Sequence, residues 1–270
     1  MLRQRIITAS ILVLISILGF FGLDGLPFAL FIGFVITLGA WEWARLAGLS
    51  SQADRMGYAL VVALLLVALH WLSLLAIPLL LLSAAWWLLA IMLILKYPDS
   101  SRFWVGKPRT LFIGLLILLP AWQGLVLLKS WPQGNWLILA VMLLVWVADI
   151  GAFFVGRKLG RHKLAPKVSP GKSWEGFWGG LVSSLAVTLF TVLYQGWSIQ
   201  VLIAAMIVST IVVAISVVGD LTESMFKRSA GVKDSSQLLP GHGGILDRID
   251  SLTAAIPVFA VLLWLAGWGN

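Results

Sequence analysis

Cysteine is missing from the sequence altogether. That excludes a disulfide framework and any chemistry that needs a thiolate. Charge is scarce: 11% of the 270 residues are Asp, Glu, Lys or Arg, where a soluble fold carries about a quarter. With a mean hydropathy of +1.01, there is too little polar surface to cover a water-soluble domain. The apolar–polar alternation of a membrane barrel is absent. There is no Walker A pattern and no Rossmann glycine fingerprint, so the cytosolic nucleotide folds are not in use. Arg3 and Arg5 precede an apolar run as in a signal peptide, but no small-residue cleavage site follows at "FFGLDGLPF". That run is therefore expected to be retained as a first span. No internal repeat or low-complexity tract is evident.

What the chain does have is apolar runs of about 20 residues, the length a helix needs to cross the hydrocarbon core. Lipid offers no partners for exposed backbone groups, so the spans must be helices. The expectation is an all-α polytopic integral membrane protein of about nine transmembrane helices with a cytoplasmic N-terminus. The expected spans are 6–23, 27–46, 58–77, 78–95, 111–128, 136–155, 177–195, 199–219 and 252–268. Pro78 is read as the break between the third and fourth.

Loop charge supports this layout. With the N-terminus inside, 18 of the 19 Lys and Arg residues fall on the cytoplasmic side and only Lys129 falls outside, a strong positive-inside bias. The net charge of +8 then sits almost wholly on one face, where it attracts anionic headgroups or a soluble anion. The short loops around Arg45–Arg55 and Lys96–Arg109 are read as topogenic charge. Glu42 and Arg45 in "WEWARLAG" are read as an interfacial pair in an aromatic belt, and His70 as packed or hydrogen-bonded between helices. The chain divides into N-terminal transmembrane helices, 1–130, and a C-terminal transmembrane part, 131–270. The polar chemistry gathers in the second part, in cytoplasmic loops 156–176 and 220–250.

Asp149, within "VMLLVWVADIGAFFVG", costs at least about 2.5 kcal/mol at depth in a span. Such a carboxylate is functional or paired, with Lys158 or another helix as partner. Ala152, Gly156 and Gly160 allow close helix approach. In "SPGKSWEG", Pro170-Gly171 is a turn and Ser173 is placed to cap the next helix. Lys172 then lies near a helix N-terminus, where phosphate is favoured. An ordinary interfacial loop with a Trp anchor is the plainer account.

The densest stretch is "KRSAGVKDSSQLLPGHGGILDRID", residues 227–250. Its 24 residues hold four basic side chains, three aspartates, a histidine and four glycines. Asp220, Glu223, Ser224 and Lys227 share one face if the eighth span continues as a helix. Asp247 and Asp250 open the last helix at i, i+3. Carboxylate pairs suit a hard divalent cation, bases oppose phosphate oxygens, and "PGHGG" allows a phosphate close to backbone N–H groups. Together these make a nucleotide site, whereas a solvated loop of mutually paired charges would need only the charges. His242 is open to two roles, general acid/base or structural turn residue.

Ser224–Asp250, "SMFKRSAGVKDSSQLLPGHGGILDRID", resembles the signature of the phosphatidate cytidylyltransferases (CDP-diacylglycerol synthases). Its Ser-x-x-Lys-Arg, Lys-Asp, Pro-Gly-His-Gly-Gly and Asp-Arg-x-Asp elements are all present. Asp149–Gly176 is similar to the family's second recurring stretch, while the N-terminal half matches in character only. The resemblance implies that CTP and phosphatidate give CDP-diacylglycerol and pyrophosphate. It implies Mg²⁺, with a second cation beside it, held by Asp220 and Asp247. Lys227, Arg228, Lys233 and Arg248 would bind CTP or lipid phosphates, with Lys172 and the backbone of Gly243 and Gly244 also on the nucleotide. Asp234, His242 and Asp250 would orient the loop and its ligands. The implied partners are CTP, phosphatidate, membrane lipids and a second copy of the chain, with no nucleic acid. The implied place is the bacterial cytoplasmic (inner) membrane. Rival readings are a CTP-using enzyme for another lipid, an anion transporter and a membrane scaffold. A transporter would carry intramembrane charges in both halves, and a scaffold would not need the acid–base–glycine loop.

Overall fold

The computed structural model describes residues 2–269, with side chains of residues 1–7, 9, 73 and 270 left aside. Among the described residues the chain forms nine α-helices: α1 Leu2–Phe21, α2 Gly25–Leu46, α3 Gln52–Trp71, α4 Ala76–Leu95, α5 Lys107–Ser130, α6 Gly134–Leu159, α7 Trp174–Tyr194, α8 Ile199–Ser229 and α9 Leu246–Leu265. Strands β1 (Lys163–Ala165) and β2 (Ser169–Ser173) form a small antiparallel hairpin between α6 and α7, an element the sequence reading did not foresee. Helices α2 to α9 are long and apolar enough to cross a membrane; α1 contributes the apolar stretch Ser10–Phe21. This is an integral membrane protein of polytopic all-α architecture.

The helix limits depart from the expected spans in a consistent way. Hydropathy marks only the part of a helix matched to lipid, and several helices run past it. At 1.5 Å per residue the 31 residues of α8 extend about 46 Å, well beyond the roughly 30 Å hydrocarbon core. The extra turns carry Asp220 to Ser229. The third span is corrected: α3 ends at Trp71, and the chain turns at 72–75 rather than at Pro78. Pro78 sits in the first turn of α4, where a missing N–H leaves no intrahelical bond unmade.

The loops alternate between two ends of the bundle. One end holds the segments after α2, α4, α6 and α8, with nearly all the Lys and Arg residues. At the other end Lys129 meets Asp24 at 3.1 Å and donates to the Phe20 carbonyl at 2.8 Å, so the one basic residue on that side is neutralised locally. His70 lies edge-on to Trp71 and Trp122, a packed histidine as expected.

Two kinds of contact hold the bundle. Large side chains from α2, α4, α5, α8 and α9 make one apolar cluster, so the two halves of the chain share a core. At its charged end Trp43 packs on Phe226 and donates to the Thr110 carbonyl at 2.7 Å. Trp104 packs on the other side of Phe226. Helices α6 and α7 meet instead through small residues, as lipid-dissolved helices do when backbone packing drives association. A Cβ at Gly180 would stand 2.5 Å from the Ala148 carbonyl oxygen, and one at Gly151 would stand 2.5 Å from Ser183 Oγ. Gly180→Ala is therefore expected to destabilise the protein by about 1–3 kcal/mol through overpacking. Gly57→Ala, where a Cβ meets nothing within 4 Å, is expected to be neutral or slightly stabilising. Thermal unfolding in detergent checks both.

Candidate active site

The close approach of α6 and α7 leaves a cleft of about 360 Å³ toward the charged end, walled by α6, α7, α8 and the hairpin. Phe153, Leu164, Phe177, Val213 and Val217 give it apolar sides. Asp149, Arg157, Lys172 and Asp220 supply its polar groups. Lys172 Nζ bridges to Asp220 Oδ2 at 2.6 Å. Asp149 opens to the cleft, and Lys158 does not line it. The intramembrane aspartate is thus a cleft group facing another helix, one of the two alternatives its sequence left open.

The hairpin places Lys172. Ser173 is the residue before α7, with extended backbone, and its hydroxyl accepts from Gly176 N at 3.2 Å, the N-cap its sequence predicted. Glu175 accepts from Arg161 N at 3.0 Å and from His162 Nδ1 at 2.6 Å, tying the start of the hairpin to the start of α7. Lys172 is therefore held beside a helix N-terminus, where unpaired N–H groups favour negative charge.

The turn after α8 closes with Gly231 at φ +69°. Val232 N donates to the Lys227 carbonyl and Gly231 N to the Arg228 carbonyl, a Schellman-type helix stop. The following loop folds back on the helix ends. Asp247 ties it down. Its Oδ2 accepts from Ser235 N at 3.0 Å, Ser235 Oγ at 2.9 Å and Gly244 N at 2.8 Å, and its Oδ1 accepts from Lys227 Nζ at 2.6 Å. Lys227 also stands 3.2 Å from Glu223 Oε1. Both Glu223 oxygens are buried, and beyond that ion pair neither has a hydrogen-bond partner among the described residues. Gly243 has φ +80°, and a Cβ there would stand 2.7 Å from Asp247 Oδ2, so this turn requires glycine twice over.

The structure therefore sorts the residues singled out from sequence. Asp220 and Lys172 meet in the cleft. Asp247, Lys227, Gly243 and Gly244 meet in the loop tie. Asp250 does not touch the loop: it lies a turn further along α9, an electrostatic neighbour of Glu223 and Lys227 in the seam with α8. Arg228 is exposed and uses two of its five N–H donors on backbone, Nε to the Val168 carbonyl at 3.3 Å and Nη1 to the Val232 carbonyl at 3.2 Å, and so clamps the hairpin to the loop. His242 makes only a long contact, 3.4 Å, to the Pro240 carbonyl. Lys233, Asp234 and Arg248 are exposed and form no ion pair among the described residues.

One expectation is corrected. Glu42 and Arg45 are not an interfacial pair. Glu42 is fully buried. Its Oε1 accepts from Ser236 Oγ at 2.5 Å and Ile245 N at 3.0 Å, and its Oε2 from Ser235 Oγ at 3.1 Å and Leu246 N at 2.7 Å. Arg45 donates to the Ser235 carbonyl at 3.1 Å. Both side chains serve the loop 190 or more residues away in sequence. Nothing local in "WEWARLAG" signals this, except that a glutamate within an apolar helix needs a partner.

Comparison with known proteins gives this arrangement its context. The model of the cytidylyltransferase family matches residues 3–266. The chain belongs to that family. Among curated relatives of this cytidylyltransferase, the phosphatidate cytidylyltransferase of Pseudomonas aeruginosa is 64% identical over 269 residues, covering 100% of this chain and 99% of the relative. That of Haemophilus influenzae is 41% identical over 283 aligned positions, covering 96% and 98%. That of Staphylococcus saprophyticus is 44% identical over 137 residues, about half of each protein, 51% and 52%.

The cap that orients Lys172 gives a direct test. Ser173→Ala is expected to cost about 0.5–2 kcal/mol, seen as a lower midpoint in thermal unfolding, whereas Ser173→Asp should retain the cap and the wild-type midpoint.

Proposed function

We propose that this protein is a phosphatidate cytidylyltransferase, moving CMP from CTP to phosphatidate and releasing pyrophosphate. Full-length identity of 64% to an enzyme of that name carries the reading. The cleft supports it independently: a lysine, an arginine and two aspartates stand at the charged end of helices, between apolar walls. Such a place lets a lipid keep its tails in the bilayer while its headgroup meets a soluble nucleotide.

An oxygen of the phosphatidate phosphate attacks the α-phosphorus of CTP. The bond from that phosphorus to the oxygen bridging the β-phosphate breaks, and pyrophosphate leaves. The phosphomonoester is largely a dianion near neutral pH, with a second pKa of about 6, so it attacks without a strong general base. The barrier then falls mainly through alignment and through positive groups around the phosphates. Lys172, beside the N-terminus of α7, and Lys227 supply that charge from well-ordered positions, and Arg157 adds to it at the cleft wall. Lys233 and Arg248 are free to meet the outer phosphates. Backbone N–H groups near Gly243 and Gly244, with His242 and Asp234, form the flexible side of the nucleotide site.

The donor set suits a magnesium ion of the usual kind. No three acidic or histidine side chains converge into a cage among the described residues. Mg²⁺ needs none, since it uses one or two carboxylates, waters and substrate phosphates. Asp220 fits best, being part-exposed and in contact with a single lysine, Lys172. Asp247 Oδ2 faces three donors and its Oδ1 already accepts from Lys227 Nζ, so a metal at Asp247 would have to share Oδ1 with Lys227. A magnesium ion held there would supply positive charge to the triphosphate and the departing pyrophosphate, and a second cation would add to it. The same reading puts the protein in the bacterial inner membrane among membrane lipids, as a homodimer, with the charged end in the cytoplasm. The concentration of Lys and Arg at that end supports the orientation.

Pyrophosphate release by the purified protein tests the reaction. Release is expected to need CTP, phosphatidate and Mg²⁺ together and to yield a CDP-lipid. Diacylglycerol, a polyprenol and ATP serve as controls; a polyprenol product in place of CDP-diacylglycerol would reassign the acceptor. Asp220→Asn is expected to lower kcat by about 10²–10³-fold, on the scale of losing one charge-stabilising group. Full turnover by that folded variant would remove Asp220 from the metal and phosphate chemistry.

A further inference from the structure

Glu42 is a buried carboxylate for which the chemistry above has no use. It belongs to α2, in the half of the chain that carries no signature, and it forms no ion pair among the described residues. A buried, unpaired charge is costly unless hydrogen bonds compensate it. Here each oxygen takes one serine hydroxyl and one backbone N–H. The two N–H groups are at the start of α9, whose dipole also favours a negative charge. All four donors lie within Ser235–Leu246. Glu42 therefore touches the loop and the head of α9 and nothing else by hydrogen bond, while the bundle is held by its apolar cluster.

The connection continues inward. Ser235 lies between Glu42 and Asp247, with its hydroxyl within 3.1 Å of one and 2.9 Å of the other. Asp247 in turn orients Lys227. The fit at Gly244 is close enough to be selective. A Cβ there would stand 2.1 Å from Ser235 Oγ and 2.5 and 2.6 Å from the two Glu42 oxygens.

We propose that Glu42 is a positioning residue for the nucleotide side of the site. It sets the shape of the loop between α8 and α9 and, through Ser235, the orientation of Asp247 and Lys227. This rests on the reading of that loop as the CTP-binding element. A glutamine is the informative replacement. It preserves the volume, but its NH₂ must face either Ile245 N–H or Leu246 N–H, and a backbone donor cannot turn away. Phosphatidate enters between apolar helix walls that Glu42 does not touch, so the defect belongs to the nucleotide.

The test uses the full-length enzyme in detergent, comparing wild type with Glu42→Gln, Ser236→Ala and Asp247→Asn. Each is assayed by pyrophosphate release with CTP and phosphatidate varied in turn, and by thermal unfolding. Glu42→Gln is expected to remain folded and to lose about 10–100-fold in kcat/KM for CTP, the usual scale for groups that orient others. Its KM for phosphatidate should stay within about twofold of wild type. Wild-type kinetics, or a loss shared by both substrates that follows only the folded fraction, would overturn the proposal. Should Glu42→Gln not fold, Ser236→Ala decides: a CTP-selective loss supports the proposal and unchanged kinetics overturn it. Asp247→Asn separates the two layers. If it is inactive while Glu42→Gln is normal, only the role of Glu42 is lost. If it turns over like wild type, the nucleotide reading of the loop fails and takes the proposal with it.

Discussion

A single line of hydrogen bonds joins the lipid-embedded bundle to its polar loop: Glu42 to Ser235, Ser235 to Asp247, Asp247 to Lys227. Most of it is shielded from water, where an unsatisfied group is costly and a satisfied one is strongly directional. A loop with this much glycine has little shape of its own. Its form is imposed by two carboxylates, one from each half of the chain, that accept four backbone N–H groups, the Ser236 hydroxyl and Lys227 and share the single Ser235 hydroxyl proton. The shared apolar core brings α2 and α9 close enough for this to happen.

The cleft depends on a different constraint. Helices α6 and α7 approach through Gly151, Gly176, Gly179 and Gly180, where an added Cβ would stand 2.5 Å from Ser183 Oγ, 3.0 Å from the Ala152 carbonyl oxygen, 2.4 Å from the Val155 side chain and 2.5 Å from the Ala148 carbonyl oxygen, respectively. That packing is dense on one side and leaves room on the other, where Asp149, Lys172 and Asp220 gather. The hairpin closes the charged end, clamped by Arg228 to the loop beyond α8. Cleft and loop are thus two parts joined at α8, with Asp220 on the cleft side and Lys227 on the loop side, two turns apart on one helix.

Much of this was legible from the chain. Apolar runs revealed the helices, because a bilayer admits little else. The N-cap at Ser173, the continuation of α8 past residue 219 and the small-residue face of α6 followed from local rules of capping, periodicity and packing. The third span was placed several residues late, because Pro78 reads as a break by composition while it serves as a helix start in three dimensions. The family resemblance gave Asp250 a role in orienting the loop. One helical turn is enough to move it into the seam with α8. Arg228 stands in the motif as one base among others, and only the fold shows that two of its N–H donors hold backbone carbonyls of the hairpin and the loop.

Sequence alone determined the class of molecule, the count of long helices, the end of the bundle that carries charge and the stretch that carries the chemistry. These properties are local or cumulative: hydropathy over a window, charge over a loop, residue types within a motif. Tertiary structure alone decided which carboxylates are free and which are committed. Asp220 and Asp247 are the same residue type in neighbouring motifs, but one faces a cleft with Lys172 as its ion-pair partner and the other is surrounded by backbone, serine and lysine donors. Glu42 shows the limit most plainly. Its partners lie almost two hundred residues away, and only the packing of α2 against the head of α9 brings a buried negative charge to the donors that stabilise it.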